Sequence, residues 1–138
     1  MKEVTLAFLG DAFYELSIRR RLAEGGGEYA ADRLHAMAVR YVNAASQAKA
    51  LRGLIAGGRL SEEEADLVRR ARNRKPKSVP KNADPVDYKL ATAFEALLGY
   101  HYIEGRENRA EELTELAVGI IDGPAGHGGQ GKANEREN

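Results

Sequence analysis

Cysteine is absent from the chain, which excludes a disulfide framework, a thiolate nucleophile and a thiolate-held zinc. Histidine is scarce. His35, His101 and His127 are scattered with no HxxxH pair among them, so a metal site built on imidazoles is not expected either. No apolar run comes near the roughly 18 residues that cross a bilayer. Met1-Lys2-Glu3-Val4 does not open a basic-then-apolar leader, and the expectation is a cytoplasmic protein with no membrane partner. An excess of charge of one sign is also missing: 21 basic residues balance 21 acidic ones, so bulk charge selects no partner. Alternation of apolar and polar residues at period two is nowhere sustained, which argues against strands. There is no glycine-rich phosphate loop after a strand, no HExxH and no plausible serine–histidine pair.

What is present suffices for one core. The 138 residues, 43% hydrophobic and 30% charged, have the composition of a single globular domain. Periodicity predicts helix almost throughout. Leu6, Leu9, Phe13 and Leu16 recur at three- and four-residue steps, with Arg19, Arg20 and Arg21 toward the C-terminal end, where cations meet the helix dipole favourably. Gly25-Gly26-Gly27 interrupts. A second helix is predicted around 30–42 and a third, rich in alanine, over 44–55, stopped by Gly57-Gly58. Ser61 with Glu64 reads as a capping box opening a fourth toward Arg74. Pro76 and Pro80 make 75–83 a polar loop. Asp84 as N-cap and Pro85 at the first helical position restart the chain, and a fifth helix carries Leu90, Phe94, Leu97 and Ile103 to about Gly105. Asn108 with Glu111 predicts the start of a sixth, which Gly123-Pro124 stops. The expected fold is an all-α bundle of about six helices, one domain over 1–122 with a disordered tail over 123–138.

Two acids stand out of place. Asp11 follows Gly10 in the most apolar helix, between Phe8-Leu9 and Ala12-Phe13, and Glu95 lies in Ala93-Phe94-Glu95-Ala96-Leu97-Leu98-Gly99. A mid-helix glycine costs about 1 kcal/mol against alanine, and an unpaired carboxylate on a packed helix costs more. A solvent-facing or arginine-paired Asp11 is the plain reading. The other is that small residues beside each acid let two helices approach and bring the carboxylates together. Such a pair suits a hard divalent cation, which prefers oxygen and keeps several waters. Glu15, one turn from Asp11, either joins that cluster or pairs with Arg19 at i+4.

A metal held by few carboxylates beside a basic segment is suited to phosphodiester chemistry. From Arg69 to Lys81 the chain has Arg69, Arg70, Arg72, Arg74, Lys75, Lys77 and Lys81 and no acid. Arg69 and Arg70 fit a helix end; Lys75, Lys77 and Lys81, in the proline-containing loop, read better as contacts to an anion. His35 and His101 read as packing or surface residues. Tyr100 and Tyr102 read as core or dimer contacts rather than platforms for bases.

Leu6-Ala7-Phe8-Leu9-Gly10-Asp11-Ala12 with Tyr14-Glu15, and Thr92-Ala93-Phe94-Glu95-Ala96-Leu97-Leu98-Gly99-Tyr100, resemble the two signature helices of the ribonuclease III catalytic domain. The closer resemblance is to its small bacterial branch, mini-ribonuclease III. Leu34-His35, Ala48-Lys49-Ala50, and Arg69-Arg70-Ala71-Arg72-Asn73 leading to Pro80-Lys81-Asn82-Ala83-Asp84 agree with that branch, and the resemblance extends over about residues 4–121. It implies a homodimeric endonuclease domain that cuts double-stranded RNA with magnesium, or manganese in its place, and that matures precursor 23S ribosomal RNA, with a ribosomal protein as an optional partner. It implies Asp11 and Glu95 as catalytic and metal-holding residues, Glu15 and Thr92 as supporting candidates, and Arg70, Arg72, Asn73, Arg74, Lys75, Lys77 and Lys81 on the RNA. Full-length ribonuclease III enzymes carry four acids per site; here Ala7 and Thr92 stand where two of them would be, a reduction the branch shares. The alternative is a catalytically inactive RNA-binding or ribosome-associated module of the same fold, against which the retention of Asp11 and Glu95 stands.

Overall fold

Gly10 and Gly99 decide the architecture. Gly10 lies in α1 (Glu3–Glu24), Gly99 in α5 (Pro85–Ile103), and the helices cross at these positions with no room for a side chain. A β-carbon built on Gly10 would lie 2.8 Å from the Gly99 nitrogen and overlap the Glu95 carbonyl. One built on Gly99 would lie 2.9 Å from the Gly10 nitrogen and overlap the carbonyl of Leu6. Val4 lies beside Thr92 and Phe13 beside Tyr102, with ring centroids 5.7 Å apart, so the two helices run in the same direction. The computed structural model describes residues 1–76 and 78–128.

Around this pair, α2 (Ala31–Val39), α3 (Ala44–Ala56), α4 (Glu62–Asn73) and α6 (Glu107–Gly128) complete an all-α bundle, with no strand among the described residues. α1, α3, α4 and α6 all pack on α5, which is therefore the central helix. The innermost layer is Tyr14, Ile18, Leu51, Leu54, Phe94, Leu97, Leu98 and Leu113, with Tyr14 edge-on to Phe94 at 5.2 Å between centroids. Leu16, predicted to pack with Leu6 and Phe13, is instead 69% exposed. The reason is that α1 has two apolar faces. Leu6, Ala7, Gly10, Phe13, Tyr14 and Ile18 turn to the bundle, whereas Val4, Phe8, Ala12 and Leu16, at four-residue steps, turn to solvent, Phe8 with 82% of its surface exposed.

Helix ends follow local hydrogen bonding. α2 stops at Val39, earlier than its periodicity predicts, because the Asn43 amide donates to the carbonyls of Val39 (2.7 Å) and Arg40 (3.3 Å). Its Oδ1 accepts from the Ser46 N–H at 2.8 Å and so caps α3. Asp84 caps α5 as expected, accepting from the N–H groups of Val86 and Asp87. α6 begins at Glu107, not at an Asn108 cap. Gly105 (φ 80°) turns the chain, the Arg106 N–H closes α5 on the His101 carbonyl at 2.7 Å, and Glu111 accepts from Ser17 Oγ at 2.8 Å instead of capping. At the expected stop, Gly123 (φ 72°) breaks α6 without ending it. Residues 129–138 of the predicted tail, and Lys77 of the basic loop, lie outside the described residues. No described helix is long and apolar enough to cross a membrane.

The predicted capping box forms, with the Glu64 N–H on Ser61 Oγ (3.1 Å) and the Ser61 N–H on Glu64 Oε1 (2.8 Å). The same carboxylate is buried and joins three helices. Arg109 of α6 grips it with Nη2 on Oε1 and Nε on Oε2, both at 2.8 Å, and His101 of α5 places Nε2 2.6 Å from Oε2. The Nε of Arg106 donates to His101 Nδ1 at 3.0 Å, so Nδ1 is the bare nitrogen and Nε2 carries the proton given to Glu64. Burial holds the His101 imidazole below its ordinary value, which agrees with that neutral form. The Arg109 guanidinium holds the Glu64 carboxyl at about 2.

Folded Glu64 thus ionises well below the 4.5 of an unconstrained glutamate. Its contribution is complete above about pH 4.5 and is lost as pH falls toward 2, a difference on the order of 3 kcal/mol. His101 acts in the same direction, since an unfolded histidine takes up a proton below about pH 6.5 that the folded one resists. Urea unfolding between pH 7 and pH 3 is expected to show a falling midpoint in the wild type and a flatter profile in Glu64→Gln. Parallel profiles would place the acid-labile contact elsewhere.

Candidate active site

The helix crossing dictates where the two isolated acids go. Asp11 directly follows Gly10, and Glu95, whose carbonyl Gly10 abuts, lies one turn before Gly99. The approach of the backbones sets the two carboxylates on adjoining helices, near enough for the charge of Asp11 to act on Glu95. Asp11 is exposed and Glu95 half-buried. Burial pushes the Glu95 carboxyl up from 4.5 to about 8; the neighbouring Asp11 adds to the rise, and Gln47 of α3 opposes it by donating Nε2–H to Glu95 Oε2 at 3.0 Å. Two neighbouring carboxylates, one drawn toward its neutral form, are the arrangement in which one proton or one cation can serve both.

Behind the pair the packing is polar and hydrogen-bonded across elements. The Tyr14 hydroxyl donates to the Tyr41 carbonyl at 3.0 Å, and burial raises its pKa so that it stays a donor. Tyr41 in turn donates to Asp122 Oδ1 at 2.8 Å, and Arg40 pairs with the same oxygen at 3.1 Å. These contacts join α1, the turn before α3 and α6.

Of the other sequence candidates, Glu15 is engaged by Arg19 Nη2 at 2.6 Å on the surface, the i+4 alternative. The Thr92 hydroxyl donates to the Tyr88 carbonyl at 2.9 Å. Thr92 also lines a cavity of about 350 Å³ with Val4, Arg74, Lys75, Tyr88 and Lys89. Glu95 follows Thr92 by three residues, about 4.5 Å along the helix, so this basic recess lies a turn from the acid pair. Arg72, Asn73, Arg74, Lys75 and Lys81 are exposed. Arg70 is paired with Glu3 of α1 at 3.6 Å and Arg69 with Asp66. His101 is buried and hydrogen-bonded, and His35 is exposed. Among the described residues, no cluster of three or more Asp, Glu or His side chains could hold a metal. The acid pair stands without a third carboxylate.

Gln47 is not among the sequence candidates. Its signal is its phase. With Leu51 and Leu54 it occupies the buried i, i+4, i+7 stripe of α3, and an amide at such a position requires a partner.

The all-α fold built on this glycine crossing is that of a ribonuclease III domain, and that family matches residues 4–106 of the chain. The mini-ribonuclease 3 of Symbiobacterium thermophilum is 46% identical over 119 residues, covering 86% of this chain and 89% of that protein. The mini-ribonuclease 3 of Brevibacillus brevis is 46% identical over 120 residues, 87% of each chain. A crystal structure of a protein from Fusobacterium nucleatum superposes with a TM-score of 0.74 at 32% identity, over 85% of this chain and 91% of that one. The chain belongs to the ribonuclease III family, in its mini-ribonuclease 3 branch, and is an endoribonuclease.

Because burial is the larger cause of the Glu95 shift and Asp11 a lesser one, Asp11→Asn is expected to lower the Glu95 pKa from about 8 without returning it to the ordinary carboxylate range. Carboxyl-carbon NMR titration in metal-free buffer measures this. An unchanged Glu95 would mean that the two side chains are not in contact.

Proposed function

We propose that the chain is a magnesium-dependent endoribonuclease that cuts double-stranded RNA as a homodimer in the cytoplasm, with precursor 23S ribosomal RNA as its substrate. The observation that carries this is the meeting of Asp11 and Glu95 at the Gly10–Gly99 crossing. The donor set fits a hard cation: two mutually repelling carboxylates, oxygen only, one of them exposed to incoming substrate. Asp11 and Glu95 would hold magnesium, or manganese in its place, with water in the remaining positions. Bound there, the cation supplies polarisation of a phosphoryl oxygen and an acidified water.

The chain's own residues do the rest. Arg72, Asn73, Arg74, Lys75 and Lys81 are exposed and free to meet phosphates. Arg70, paired with Glu3, and Lys77 belong to the same proposed RNA surface, and Thr92 lines the recess between that surface and the acids. Contacts of this kind read the A-form backbone rather than base sequence. The exposed stripe of Val4, Phe8, Ala12 and Leu16 is the face we assign to the second copy. Asp11 adjoins it, so a two-fold axis through the stripe sets two acid pairs on one duplex, one for each strand.

Duplex RNA incubated with magnesium is expected to be cut, and chelator to stop it. Asp11→Asn, nearly isosteric, is expected to reduce cleavage to background while leaving the thermal transition and the sedimentation coefficient of a dimer in place. Cleavage near the wild-type rate by that variant, or full double-strand cutting by a monomer, would sink the proposal. RNA bound but not cut by the wild type would favour the inactive module.

Arg72→Ala with Arg74→Ala is expected to weaken binding and flatten its salt dependence. The slope of log affinity against log salt changes by about 0.9 per lost phosphate contact on B-form DNA, and a comparable change is expected for RNA. Turnover at saturating RNA falls much less, because neither residue holds the cation. A salt slope equal to that of the wild type would move the RNA surface elsewhere.

A further inference from the structure

We infer that Gln47 is a positioning residue for this reaction, holding the Glu95 carboxylate in the orientation in which it shares a cation with Asp11; the inference rests on the assignment of those two acids as the metal-holding pair. Gln47 is 3% exposed, and its Nε2–H on Glu95 Oε2 at 3.0 Å is the only hydrogen bond to the Glu95 side chain among the described residues. A glutamate side chain has three torsions, and fixing them costs rotamer freedom. The packed helices restrict the first torsions; the amide fixes the last by engaging one carboxylate oxygen, and the other accepts no hydrogen bond from the described residues.

Gln47 is itself firmly placed. Asn43 caps α3 one turn earlier, and Ser46 Oγ donates to the Arg40 carbonyl at 2.8 Å. Leu51 and Leu54 are fully buried on the same stripe, and Arg52 pairs with Asp87 of α5 at 3.1 Å. The donor therefore sits on an element fixed to the preceding turn at its start and tied to α5 by Arg52. Its chemical type is informative. A neutral amide steadies an ionised carboxylate without competing for it, whereas a lysine or arginine would neutralise it and repel a cation, and an acid would add a third negative charge. Partners of metal-holding carboxylates act in this way elsewhere, and their loss typically weakens metal binding or activity by about 10–100-fold.

Gln47→Met keeps the length of the side chain and removes the donor. Manganese binding to the RNA-free full chain is measured by calorimetry, the magnesium dependence of single-turnover cleavage alongside it, and duplex binding in chelator as a control. The expected result is that both metal midpoints weaken by about tenfold or more, cleavage recovers toward wild type at high magnesium, and duplex affinity is unchanged. Wild-type metal midpoints in the variant overturn the inference, as does a cleavage defect that added metal leaves unmoved. If Gln47→Met melts below the assay temperature, the wild-type chain decides. Its Gln47 side-chain amide resonances are expected to shift during magnesium titration with the midpoint of the Glu95 carboxyl carbon, and an unmoved amide overturns the inference. Asp11→Asn separates the two levels. Manganese binding that survives Asp11→Asn overturns the acid-pair assignment and this inference with it. Binding lost in Asp11→Asn but intact in Gln47→Met overturns the role of Gln47 alone.

Discussion

The structure depends on one contact between backbones. At Gly10 and Gly99 two long helices meet without side chains between them, and each glycine abuts the residue one turn before the other. A glycine inside a helix costs about 1 kcal/mol against alanine, and α1 and α5 each accept one. The consequence of the contact is chemical. With the backbones touching, the first residue after Gly10 and the residue one turn before Gly99 lie close together at the crossing. Both are acids, and one is half-buried. The electrostatic conflict is a local departure from good packing. Gln47 moderates it from a third helix by supplying a neutral donor.

A second polar cluster lies further along the same central helix. Glu64 is at once the capping residue of α4 and the acceptor for Arg109 and His101. A buried carboxylate is costly unless its oxygens are filled. Here a bidentate guanidinium, an imidazole and a backbone N–H fill them. Glu95, Gly99 and His101 lie within two turns of α5, so that helix carries the acid site at one position and a stabilising clasp at the next. The two carboxylates illustrate what environment does: Glu64, with a full set of donors, is held at about 2, and Glu95, raised chiefly by burial with one donor and a like charge beside it, stands at about 8.

How much of this is legible in sequence depends on how far each residue's partner lies along the chain. The caps at Ser61 and Asp84 are local and readable, as are the helices they open. Asp11 and Glu95 are readable as anomalies, because an isolated acid beside glycine in an apolar helix breaks the pattern. The partners of Glu64 at 37 and 45 positions away, and of Gln47 at 48, lie outside any local window. Glu64 therefore reads only as a capping residue, and Gln47 gives no sign of its role. Leu16 reads as core because periodicity counts apolar residues without saying how many faces they cover. The start of α6 is misplaced for a similar reason: Gly105 and the Arg106 N–H close α5 by backbone geometry, and Ser17, far away in sequence, takes the glutamate that would have capped it.

The crossing also has a consequence in time. Asp11 belongs to the first helix and Glu95 to the fifth, and contacts of such sequence separation form late, after the entropy of closing the intervening chain has been met. On a ribosome, where a chain emerges from its N-terminus, α1 is present long before the helix that completes its site. The nascent polypeptide therefore cannot bring Asp11 and Glu95 together until α5 has emerged and docked on α1.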